Sequence, residues 1–109
     1  MAYNIDLEYR IDKVINVLGD IIKKKMFGGV GYLMNGNMCF GIHKDYVVIQ
    51  TSIRKSEELL KSEYVTPFDI TGRPVKGWLS VSPDAVRTED QLLDMLQIAT
   101  TFVKTLPQK

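Results

Sequence analysis

The dipeptide Asn35-Gly36 stands between GGVGYLM and MCFGIHK, two runs whose apolar residues recur with period two. Asn-Gly suits a two-residue hairpin loop, because a type I′ turn needs positive φ at both central positions. These residues therefore predict an antiparallel hairpin. With a regular ladder, Leu33 faces Met38 and Gly31 faces Phe40, and these four line one side with Ile42. Val30, Tyr32, Met34, Cys39, Gly41 and His43 line the other. YVVIQTS, from Tyr46 to Ser52, is rich in β-branched residues and follows the short Lys44-Asp45 turn, so the hairpin extends into a three-stranded meander.

Helical periodicity brackets the meander. Leu7, Ile11, Val14, Ile15 and Leu18 recur at helical spacing, with Asn4 or Asp6 as N-cap and Gly19 as a left-handed stop. A short helix from Arg54 to Lys61, capped by Ser52 or Ser56, ends before Pro67. PFDI, the turn TGRP and GWLSVS read as two strands, with Trp78 directed away from Leu79 and Val81. Thr88 and Gln91 form a capping box, and Leu92, Leu96, Ala99, Val103 and Leu106 continue an apolar seam that stops before Pro107. The order is α-β-β-β-α-β-β-α in a single domain spanning residues 1–109. The class is α+β: a two-layer α/β sandwich with a mainly antiparallel sheet, one face of which carries the helices.

Composition narrows the setting. One cysteine allows no internal disulfide and suits a reducing compartment, so a cytoplasmic location is expected. No apolar run approaches the roughly 20 residues that span a bilayer, and a membrane role is not expected. The net charge of +1 gives no global field for polyanions. Between residues 21 and 82, nine basic residues stand against five acidic ones, a mild bias rather than a nucleic-acid-binding stripe.

Candidate chemistry is sparse. Cys39 and His43 are a nucleophile and a base by type, but four residues along a strand separate them by about 13 Å, and proton transfer needs about 3 Å. One Cys and one His do not make a structural zinc site. No catalytic residue, metal ligand or cofactor follows. GGVG leads into a hairpin rather than a helix, so it is not a dinucleotide fingerprint. Lys23, Lys24 and Lys25 fit a protected edge strand better than a phosphate site. Tyr32, Phe40 and Trp78 fit core packing better than base stacking.

The segments MAYN, KKMFGGVGYLMNGNMCFGI, TGRPVKGWLSV and TLPQK together resemble the TfoX N-terminal domain family over nearly the whole chain. The resemblance implies a two-layer domain similar to the secretion-chaperone fold. Longer TfoX or Sxy proteins are competence regulators that act with transcription machinery and carry a further C-terminal domain, and the expectation here is a single-domain member without it. The resemblance carries no catalytic residue. The leading expectation is a non-enzymatic regulatory or adaptor domain that binds an unidentified protein through Met26, Phe27, Gly28, Gly29, Arg73, Pro74 and Trp78. The alternatives are nucleic-acid contact through Lys23, Lys24, Lys25, Arg73 and Lys76, and, less favoured, a small-molecule enzyme using Cys39. Pairing into a homodimer through exposed sheet edges stays open.

Overall fold

A computed structural model describes residues 3–26, 28–69 and 76–108. Helix α1 (Ile5–Val14) starts at Asn4, whose side chain accepts from the Leu7 amide at 3.1 Å, and a 3₁₀ turn follows it over Ile15–Val17. Strands β1 (Ile22–Met26), β2 (Gly29–Met34), β3 (Asn37–His43) and β4 (Tyr46–Gln50) come next, then α2 (Ile53–Leu59), β5 (Val65–Pro67), β6 (Trp78–Val81) and α3 (Glu89–Val103). The strands form one antiparallel sheet in the order β1-β2-β3-β4-β6-β5. The α+β class and the antiparallel sheet are as the sequence implies, with one strand more.

That extra strand is β1. Its lysine run carries no hydrophobic alternation, so periodicity gives no sign of it. The segment nevertheless pairs along its whole length with β2, from Ile22 opposite Leu33 to Met26 opposite Gly29. The β2–β3 turn has Asn35 at φ 55° and Gly36 at φ 81°, as Asn-Gly predicts.

The ladder beyond this turn is not regular. Leu33 faces Met38 as expected, but the next pair is Tyr32 with Phe40, and Gly31 faces Gly41 rather than Phe40. Cys39 is the extra residue of a β-bulge, which reverses the alternation of everything after it. Phe40 and Ile42 thus share a side with Tyr32 and Val30, correcting the regular-hairpin expectation. The physical return is visible in the core, where the Tyr32 and Phe40 rings stack at 5.0 Å with both residues fully buried.

One face of the sheet makes that core. Val30, Tyr32, Phe40, Ile42, Val47, Ile49, Val65, Leu79 and Val81 pack against Leu7, Ile11 and Val14 of α1 and Leu92, Leu96, Ala99 and Val103 of α3, with Leu59 of α2 at the margin. All three helices therefore lie on one side. The capping box closes as expected, with the Gln91 amide donating to Thr88 Oγ1 and the Thr88 amide to Gln91 Oε1, both at 3.1 Å.

Helices α1 and α3 end at Val14 and Val103, short of the Leu18 and Leu106 that the sequence pattern reaches, and two further boundaries also differ. Helix α2 is Ile53–Leu59, capped by Ser52. The strand expected at PFDI lies earlier, as β5, with Pro67 as its last residue. An edge strand tolerates proline because no neighbour needs its missing N–H. The TGRP turn lies outside the described residues.

Candidate functional site

The three lysines of β1 are not equivalent. Lys23 pairs with Tyr32 in register, so it points to the helix-bearing side. Glu8 and Asp12 stand one turn apart on α1, which brings both carboxylates to the same face. Lys23 Nζ lies 2.8 Å from Glu8 Oε2 and 2.8 Å from Asp12 Oδ2. The remaining oxygens are also engaged: Tyr32 donates its hydroxyl to Asp12 Oδ1 at 2.8 Å, and Tyr3 donates to Glu8 Oε1 at 3.0 Å. The hydrogen bond from Lys23 holds the Glu8 carboxyl below its ordinary range, and the bonds to Asp12 and Glu8 push the lysine upward. Burial, followed by the bond to Asp12, raises the Tyr32 phenol. Lys23 is thus committed within the protein. Lys24 and Lys25 are exposed and have no ion-pair partner among the described residues.

The side of the sheet away from the helices carries a second group of rings. His43 meets Phe68 edge to face with centroids 5.7 Å apart, and Phe68 lies 6.5 Å from Trp78. All three are half-buried. In strand order β4 and β6 lie between β3 and β5, so the His43–Phe68 contact runs over the sheet. Val48 of β4 is only 2% exposed and is not part of the helix-side core. Val48 lies opposite Gly41 and Ser80 in register, on the same face as these rings, which form a second apolar layer there.

Gly29 continues the layer toward the β1–β2 turn. It is buried beside His43, and a Cβ there would run into the carbonyl oxygen of Ile42. Only glycine allows β2 and β3 to approach so closely. Gly28, exposed at φ 74°, begins the same turn. Of the expected partner residues, Gly29 therefore lies beside His43 and Trp78 near Phe68, two residues that sequence reasoning did not single out as partner contacts. Phe27, Arg73 and Pro74 lie outside the described residues, as does the side chain of Met26. Lys76 is exposed just before β6.

Cys39 has no comparable access. It is fully buried in the helix-side core, with Sγ 3.8 Å from the Asn37 carbonyl oxygen. Burial pushes its thiol up to about 11, which disfavours the thiolate that a nucleophile requires. The bulge also sets Cys39 and His43 on opposite faces of the sheet, where a regular strand would have put both on one side. Among the described residues no group of three or more His, Cys, Asp or Glu side chains is arranged to hold a metal ion.

A cleft of about 530 Å³ opens between the start of α2 and α3, with Ile98, Phe102, Lys55 and Asp94 among its lining residues. Lys55 is already paired with Glu58 at 3.3 Å. Among the described residues no helix is long and apolar enough to cross a membrane.

A family model described as the TfoX N-terminal domain matches residues 13–103 of the 109-residue chain. No curated protein matches the chain.

Proposed function

Because the chain belongs to the TfoX N-terminal domain family, we propose that it is a non-enzymatic regulatory or adaptor domain that binds another protein through the helix-free face of its sheet. The observation that carries this reading is the row His43–Phe68–Trp78, which ends at Gly29 and the β1–β2 turn. Half-buried aromatic residues of this kind offer large contact area at low entropic cost, as interface anchors do. Met26, Phe27, Arg73 and Pro74, from the family-like segments, belong to this reading on their sequence alone. Regulation of competence or transcription, as in longer TfoX or Sxy proteins, is the process with which the resemblance associates such a domain. A cytosolic location is part of the reading and rests on the lone cysteine.

The test is affinity purification from the native cell followed by mass spectrometry, with wild type and Trp78→Ala compared at equal far-ultraviolet circular dichroism. Loss of a specific partner in the variant supports the reading. Equal recovery of every partner removes this surface.

A nucleic-acid reading draws on the exposed Lys24, Lys25 and Lys76 together with Arg73. Lys23 contributes less to it, because two carboxylates already neutralise that ammonium. It requires affinity that falls steeply with salt as counterions are released. A flat salt response removes it.

A further inference from the structure

We propose that β1 is an acceptor for an extended acidic segment of the partner, which adds to the sheet as a further antiparallel or parallel strand. The proposal rests on the adaptor reading and names the chemistry of one part of that interface. It begins from the difference between the two sheet edges. The β5 edge is three residues long and ends in Pro67, which has no N–H to offer. Shortness and proline are standard protections against strand addition. The β1 edge has five residues, no proline, and a regular pairing with β2 on its inner side only. Alternate N–H and C=O groups of β1 therefore point outward.

Charge is what guards this edge. Ile22, Lys23, Lys24 and Lys25 are all exposed, and Lys23 is neutralised internally by Glu8 and Asp12. Lys24 and Lys25 have no ion-pair partner among the described residues, and they lie one on each face because strand side chains alternate. Pairing of two copies through β1, antiparallel about Lys24, sets Lys24 against Lys24 and Lys23 against Lys25. Like charges directly opposite one another oppose that pairing. A guest strand with two adjacent carboxylates reverses the sign and meets a lysine on either face. The same lysines thus reject a second copy and select an acidic strand, which is specificity by repulsion as well as attraction.

The probe is a short synthetic peptide with two adjacent glutamates flanked by threonine and valine, added to the isotope-labelled full chain. The expected result is amide shift changes and slowed hydrogen exchange confined to β1 and its immediate neighbours. Lys24→Glu combined with Lys25→Glu should weaken binding roughly tenfold and turn preference toward the counterpart peptide with two lysines. Methylation of alternate peptide nitrogens should abolish binding, since it removes ladder donors without changing charge. No binding, shifts centred away from β1, or undiminished binding by the methylated peptide overturns the proposal. So does oligothymidylate occupying the same residues more tightly than the peptide, which assigns the lysines to nucleic acid. A native partner lost in Trp78→Ala but fully retained by the double lysine variant overturns strand addition while leaving the adaptor reading intact.

Discussion

The ring of His43 on β3 meets the ring of Phe68 beyond β5 at 5.7 Å, although β4 and β6 separate the two strands in the sheet. Such a contact exists only if side chains lean over the helix-free face, and it gives the domain a second apolar layer on that face. Phe68→Ala should open that layer. The expected cost is about 1–2 kcal/mol, less than for a fully buried ring because Phe68 is half-buried. Urea unfolding checks this, and an unchanged midpoint would mean that the ring shields nothing.

Gly29 is expected to tolerate no side chain. Gly29→Ala drives a methyl into the Ile42 carbonyl, so β2 and β3 must separate or the chain must shift. A loss of about 1–3 kcal/mol follows, as for other overpacked sites. Thermal unfolding of Gly29→Ala against Gly28→Ala separates steric cost from turn strain, because nothing within 4 Å opposes a Cβ at Gly28, where φ is 74°.

The Lys23 network sets a pH window for stability. Glu8 has a lowered folded-state value, so its contribution is present above the unfolded carboxylate range and is lost as pH falls through the folded value. Lys23 has a raised value, so its contribution is complete below the unfolded lysine range and is lost only as pH rises through the folded value. Between those limits both contribute. Lys23→Met should lower stability by about 1 kcal/mol at neutral pH and flatten the acid limb. An unchanged acid limb would contradict the network.

The hairpin, the capping box and the apolar seam of α3 were legible in the sequence because each is fixed by neighbours in the chain. Asn35-Gly36 sets its own turn, and Thr88 and Gln91 reciprocate across three residues. The bulge at Cys39 was not legible. It depends on Phe40 stacking against Tyr32 across the strands, a contact for which sequence spacing gives no sign. Strand β1 was legible only through its lysines, as a protected edge strand, and not through periodicity: Lys23 is satisfied by Glu8 and Asp12 of a different element, so its place in the sheet leaves no hydrophobic signature. Of the candidate site, Gly28, Gly29 and Trp78 stood out by residue type. His43 beside Gly29 and Phe68 near Trp78 lie 25 positions apart in the chain and meet only through the sheet order.

Cys39 should behave as a core residue rather than a reactive one. With its thiol at about 11 and no exposure, native protein at neutral pH should react with a disulfide reagent only at the rate of unfolding. Cys39→Ala should cost about 1 kcal/mol, and Cys39→Ser more, since a buried hydroxyl must find a partner. Rapid labelling of the folded domain would reopen a catalytic reading.

The most direct measurement is amide hydrogen exchange on the domain bound to its affinity-purified partner, compared with the domain alone. Slowed exchange at Gly28, Gly29, His43 and Trp78, with α2 and α3 unchanged, is the expected result. Protection centred on the α2–α3 cleft around Ile98 and Phe102, with the helix-free face unaffected, would contradict the account.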